Sequence, residues 1–182
     1  MNRELLKKII IDYVKKMGII NEMRIQQFLQ FIETNNDICS RANLVGHVTT
    51  SAFIINKIRT KTLLTHHTKL NKWLQLGGHM EGDSDFISSA YREAIEESGL
   101  TSIKPLTKDI YDIDVHLIPA RKNEPEHYHY DLRFLFEADE NEALTITEES
   151  KDLAWVNLDQ LERYQVDTSV LRMRDLLTFY IK

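Results

Sequence analysis

Three glutamates, Glu93, Glu96 and Glu97, fall within five residues near the middle of the chain. On a helix, positions three and four apart share a face, so this spacing gathers three carboxylates on one side. Glu93 and Glu97 repel as a like-charge pair four residues apart, at a cost of a few tenths of a kcal/mol. A hard divalent cation reverses the sign of that cost. Magnesium selects oxygen ligands and commonly sits between carboxylates and substrate phosphates. Taken alone, three glutamates on a helix describe a solvated acidic face.

The neighbouring residues change that reading. Asp83, Ser84 and Asp85 offer N-caps, Phe86-Ala90-Ala94 and Ile87-Tyr91-Ile95 form apolar rows, and Gly99 supplies a stop. Around this helix stand Gly78, then Arg92-Glu93 fourteen residues on, then Glu96-Glu97 and Gly99-Leu100. The pattern from Gly78 to Leu100 resembles the signature of the Nudix hydrolases. One position departs: Ser84 stands where the family usually has glutamate, with Glu81, Asp83 and Asp85 close by.

The resemblance implies a fold, an activity and a division of labour. The fold is the Nudix α/β/α sandwich with a mixed sheet, here preceded by an N-terminal helical hairpin. The activity is metal-dependent hydrolysis of a phosphoanhydride, a nucleoside diphosphate linked to another moiety, by water. Glu93, Glu96 and Glu97, with a carbonyl near Gly77, would hold Mg²⁺ or Mn²⁺. Arg92 would orient Glu93, and Glu96 or Glu97 would help activate water. Glu148 or Glu149, before the last strand, would supply the further glutamate that some family members use. The rival is a non-catalytic Nudix domain that binds a nucleotide or metabolite; Ser84 and the hairpin leave it open.

In that fold the elements carrying His47, His79, His129 and Asp131 border the active face. Isopentenyl-diphosphate isomerases, a divergent branch, hold metal at similar positions, which implies a second site for Zn²⁺ or Mn²⁺, with His116 and His127 as further candidates. The alternative is a wet, hydrogen-bonded wall. The isomerase activity itself is not expected, because its cysteine would fall at Gly77. His66 and Lys69, in a basic turn, and Arg133, on the same strand face as Asp131, are candidate contacts for substrate phosphate; a basic turn is more often simply solvated.

Positioning elements can be read from the changing period. Helical spacing covers 4–17 and 21–34, forming a hairpin within residues 1–42 that is expected to pack over the domain at 43–182. From His47 the period becomes two, giving a strand to Ile55, followed by strands at 61–66, 73–76, 110–117, 127–138 and 153–157. In the 127–138 strand, Tyr128, Tyr130, Leu132, Phe134 and Phe136 form a core face; His127, His129, Asp131 and Arg133 form a face for chemistry or water. Helices are expected at 158–164 and 168–181.

Composition narrows the classes. The chain has 182 residues, 42% hydrophobic and 28% charged, with a net charge of −5. These fractions are those of a soluble globular protein, and the charge argues against non-specific nucleic-acid binding. The one cysteine, Cys39, excludes an internal disulfide and fits a reducing compartment. Charges interrupt the first helix too often for a signal peptide or a membrane span. The expected setting is the cytoplasm, the expected partner a small anionic substrate, and the hairpin offers surface for a homodimer.

Overall fold

The structure, a computed structural model, describes residues 3–80, 82–83, 85–121 and 124–180. Helices α1 (Arg3–Met17) and α2 (Met23–Thr34) precede β1 (Gly46–Asn56), β2 (Lys61–His67), β3 (Trp73–Leu74) and β4 (Leu76–His79). Then come α3 (Phe86–Ser98), β5 (Lys104–Pro105), β6 (Asp112–Ile118), β7 (His127–Ala138), β8 (Ser150–Asn157), a 3-10 turn at Leu158–Arg163, and α4 (Thr168–Tyr180).

β1 is the axis of the mixed sheet and is buried along its whole length. It runs parallel to β7, in register from Gly46 opposite Tyr128 to Asn56 opposite Ala138. Its other edge is shared, by β4 from Thr49 to Ala52 and by β2 at Ile54 and Ile55, both antiparallel. β6 pairs antiparallel with the first half of β7, and β8 with β2.

Both faces of the sheet are covered, so successive apolar residues serve different cores. Ile54, Leu132 and Phe134 pack with α1, α2 and α3, whereas Phe53, Ile55 and Leu135 pack with Val170, Met173 and Leu177 of α4. Such strands read as near-continuous apolar runs rather than clean alternations. The expected core face of β7 is observed. Its other face is not open to water at Asp131 and Arg133, each 1% exposed: Arg133 lies under α4, against the Ser169 carbonyl, and Asp131 is enclosed by Thr49 and Ser51 of β1 and by Arg133.

The hairpin packs into the same core: Leu6, Ile10, Phe28 and Phe31 join Ala90, Ala94 and Tyr130. Phe31 stacks on Tyr130 with ring centroids 3.9 Å apart and planes 9° from parallel. Smaller differences from the periodicity have simple causes. β8 begins at Ser150 because it pairs with the full length of β2, and the expected helix at 158–164 is a 3-10 turn. α4 is described to Tyr180, so the expected end at Ile181 lies outside the described residues. Among the described residues, no helix is long and apolar enough to cross a membrane.

Candidate active site

α3 is fixed at both ends. Asp85 is its N-cap, with Oδ1 accepting from the Ser88 N–H at 2.8 Å and Oδ2 from the Ser88 hydroxyl at 2.9 Å. Gly99 closes it in the left-handed conformation, φ 72°, donating to the Ile95 carbonyl. Phe86, Ala90 and Ala94 lie on the buried row, and Glu97 continues it. Glu97 is therefore not on the wet side of its helix, as a uniform acidic face would require; it is only 9% exposed. Burial, partly offset by the Gly77 N–H that donates to Glu97 Oε2 at 3.2 Å, pushes its carboxyl up to about 8.

Arg92 organises the rest of the acidic face. Its Nη1 donates to Glu93 Oε1 and Glu96 Oε2, each at 2.9 Å. Its Nη2 donates to the His79 carbonyl at 2.8 Å and to Asp83 Oδ2 at 2.9 Å. The expected pairing of Arg92 with Glu93 is observed, extended to Asp83, whose carboxyl it holds below the usual range. Ser84 and Glu81, where the sequence departs from the Nudix pattern, lie outside the described residues.

The glycine pair bears on two different surfaces. A Cβ on Gly78 would lie 2.6 Å from the Cδ and Oε2 of Glu93, so the missing side chain is what admits this carboxylate to the strand. A Cβ on Gly77, whose φ is 155°, would lie 2.5 Å from the Thr50 carbonyl oxygen on β1. Gly78 thus leaves a cradle beside an all-oxygen donor set, Glu93, Glu96 and Glu97, that suits a hard divalent cation.

Glu93, Gly77 and Gly78 open on a cleft of about 250 Å³. Lys69, Arg41 and Arg121 border it, as does Glu149. Lys69 and Glu149 were legible candidates; Arg41 and Arg121 were not, because they lie in polar connections with no periodic signal. His66 is not among the residues bordering the cleft, and instead stacks on Trp73 with centroids 5.0 Å apart. Arg133 is also displaced from the expected substrate surface. It is 1% exposed and donates to Asp131 at 2.8 Å and Asp112 at 3.2 Å, with Asp114 at 3.1 Å. Arg172 bridges Asp112 and Asp114 from α4, each at 2.7 Å. The network is structural, because a buried charge persists only when paired.

That network also removes Asp131 from the expected histidine–carboxylate set. Its oxygens accept from Ser51 Oγ at 2.9 and 2.8 Å and from Thr49 Oγ1 at 3.1 Å, in addition to Arg133. The imidazoles gather instead. The parallel register sets His47 opposite His129, the β6–β7 register sets His116 opposite His129, and β4 places His79 opposite Thr49, two residues from His47. Ring centroids lie 4.9 Å apart for His47 and His129, and 5.0 Å for His47 with either His79 or His127. Burial, reinforced by neighbouring imidazoles and Arg41, pushes the His47 and His79 rings down to about 4, so both are neutral at neutral pH.

Known proteins agree with this architecture. The NUDIX domain family profile matches residues 46–177. The "Probable DHNTP pyrophosphohydrolase" of Lactococcus lactis subsp. cremoris is 29% identical over 126 residues, covering 68% of this chain and 74% of its own. A NUDIX-family hydrolase structure from Clostridium perfringens is 25% identical, with a TM-score of 0.56 over 73% of this chain and 97% of that one. The Ap4A hydrolase of C. elegans, 14% identical, shares the fold with a TM-score of 0.58 over 74% of this chain and 96% of its own. With its profile match, its sandwich and the helix from Phe86 to Ser98 in place, the chain belongs to the Nudix family.

Proposed function

We propose that the protein is a metal-dependent pyrophosphohydrolase that cleaves a phosphoanhydride, of the nucleoside-diphosphate type, by attack of water. The observation that carries this reading is one cleft bordered both by Glu93 and the Gly77-Gly78 turn and by Arg41, Lys69 and Arg121. Carboxylates for a cation and cations for phosphate oxygens therefore face the same space. Glu93, Glu96 and Glu97 would hold Mg²⁺ or Mn²⁺, which when bound neutralises charge on the phosphates and raises the reactivity of water.

The chain's own residues supply positioning and proton transfer. Arg92 fixes the Glu93 and Glu96 carboxylates at 2.9 Å, as a partner that orients ligands. Arg41, Lys69 and Arg121 take phosphate oxygens and set the anhydride in line with water. The water oxygen forms the new bond to phosphorus while the bridging P–O bond breaks and the departing phosphate leaves with its oxygen. Glu97 and, at the cleft, Glu149 are the candidates to accept the water's proton. A cytoplasmic setting suits such a substrate.

The substrate test is a panel of nucleoside triphosphates, nucleoside diphosphate sugars, dinucleotides and DHNTP, the compound in the Lactococcus relative's name, with Mg²⁺ and with Mn²⁺. Release of phosphate, pyrophosphate or nucleotide from one member, dependent on the cation, is the expected result. Silence across the panel from folded, metal-loaded protein would favour the non-catalytic binding domain.

A further inference from the structure

The geometry points to a second metal site: we propose that His47, His127 and His129 hold one transition-metal ion, Zn²⁺ by the chemistry of their donors, with ligands distinct from the α3 carboxylates. One ring nitrogen from each of the three lies within 4.8 Å of the others. The Nε2 atoms of His127 and His129 are 3.3 Å apart. Two nitrogens bound to tetrahedral zinc at about 2.1 Å stand roughly 3.4 Å from each other. The pair is thus already at ligand spacing.

Two further observations aim lone pairs inward. His127 Nδ1 lies 2.8 Å from the Pro125 carbonyl, which can only accept, so that nitrogen carries the proton and Nε2 of the neutral ring presents its lone pair. A backbone carbonyl fixing the tautomer of a ligating histidine is a recurrent feature of metal sites. His47 is 1% exposed, and neither of its ring nitrogens has a hydrogen-bond partner among the described residues. Buried polar groups are rarely left so, and a metal ion satisfies one of these nitrogens directly.

The backbone explains why the cluster exists. His47 and His129 are register partners on parallel strands, and His127 is two residues from His129 on the same face. Three imidazoles with a fourth position open are the donor set of a zinc site that keeps room for water or substrate. His79, with its centroid 5.0 Å from that of His47, borders the cluster. Asp131, expected as a ligand from the sequence, is excluded by its hydroxyl and guanidinium partners.

The test uses the full chain and the metal alone. Protein purified without chelator is analysed for zinc; metal-stripped protein is then titrated with Zn²⁺ and with Co²⁺, whose visible spectrum reports four-coordinate nitrogen ligation. The expected result is about one zinc per chain and a four-coordinate Co²⁺ spectrum. His127→Ala and His129→Ala should each weaken zinc binding by at least about 100-fold, because the loss of a residue that merely supports a ligand already costs up to that much. Glu93→Gln should leave it unchanged. Failure of the parent to bind zinc, binding at the parent's affinity in both histidine variants, or loss with Glu93→Gln would each overturn the proposal. The parent measurements stand even if a variant misfolds, and a negative result leaves the hydrolase reading intact.

Discussion

Adding a single methyl group at Gly78 should separate the chemistry of the site from its fold. In Gly78→Ala the new Cβ would lie 2.6 Å from Glu93 Cδ and Oε2, whereas ordinary contact begins at 3.4 Å. The Glu93 carboxylate must therefore retreat by 3.4 − 2.6, or 0.8 Å. Gly78 is not among the glycines at positive φ, so alanine brings no backbone strain, and fewer unfolded conformations favour it by about 0.4–1 kcal/mol. The atoms displaced are the end of a flexible side chain, so the fold yields cheaply. A misplacement near 1 Å can cost about 100-fold in rate, and misdirected ligand partners about 10–100-fold in metal affinity. The expected outcome is a melting temperature within a few degrees of the parent, with kcat/KM and Mn²⁺ affinity each down by about 10–100-fold. Gly77→Ala is the contrast: its Cβ would meet Thr50 O at 2.5 Å and Ser51 Cα at 2.7 Å, and should destabilise the fold itself. A folded Gly78→Ala protein with undiminished rate and metal affinity would refute the placement of Glu93 at the reacting centre.

Three further outcomes follow from other parts of the structure. Arg133→Met should cost about 3–5 kcal/mol by leaving Asp131, Asp112 and Asp114 short of a buried guanidinium; a urea titration showing under about 1 kcal/mol would refute its structural role. For Glu97, the unfolded chain loses its proton near 4.5 and the folded chain near 8, so without metal its contribution is full below pH 4.5 and falls as pH rises to about 8. Denaturation in chelator should show that decline by up to a few kcal/mol, and Glu97→Gln should flatten it; an unchanged profile would contradict the burial. Phe31→Ala, which removes a ring 3% exposed and stacked on Tyr130, should cost about 3–5 kcal/mol, and a loss below 1 kcal/mol would mean the hairpin is only loosely docked.

Much of the frame was legible because local signals and tertiary structure agree. Asp85, the apolar row through Ala90 and Ala94, and Gly99 bound α3 on both readings, and the apolar face of β7 is the core face observed. What escaped the sequence depends on partners distant along the chain. Glu97 shares its charge with Glu96, yet its helical angle continues the Ala90–Ala94 row and turns it inward. Arg133 looked available because alternation cannot reveal that α4 closes over its face with Arg172. The histidine grouping was expected from the resemblance alone; its membership, with His127 in and Asp131 out, follows from the parallel β1–β7 register, which joins residues 82 positions apart, and from the partners of Asp131, none of which a local pattern encodes. Arg41 and Arg121 reach the cleft from irregular segments, where residue type alone carries no address.

The central claim is that the acidic face of α3 performs hydrolysis in this cleft. The most direct measurement is the initial rate of Mg²⁺-dependent turnover, on the best substrate of the panel, for the parent and Glu97→Gln side by side. Glutamine keeps an oxygen to accept from the Gly77 N–H and removes the ionisable carboxyl, so the variant should fold as the parent does. The account predicts a rate lower by at least about 100-fold, the lower range of losses on removing a proton-transfer group. A folded Glu97→Gln protein turning over at the parent rate would contradict it.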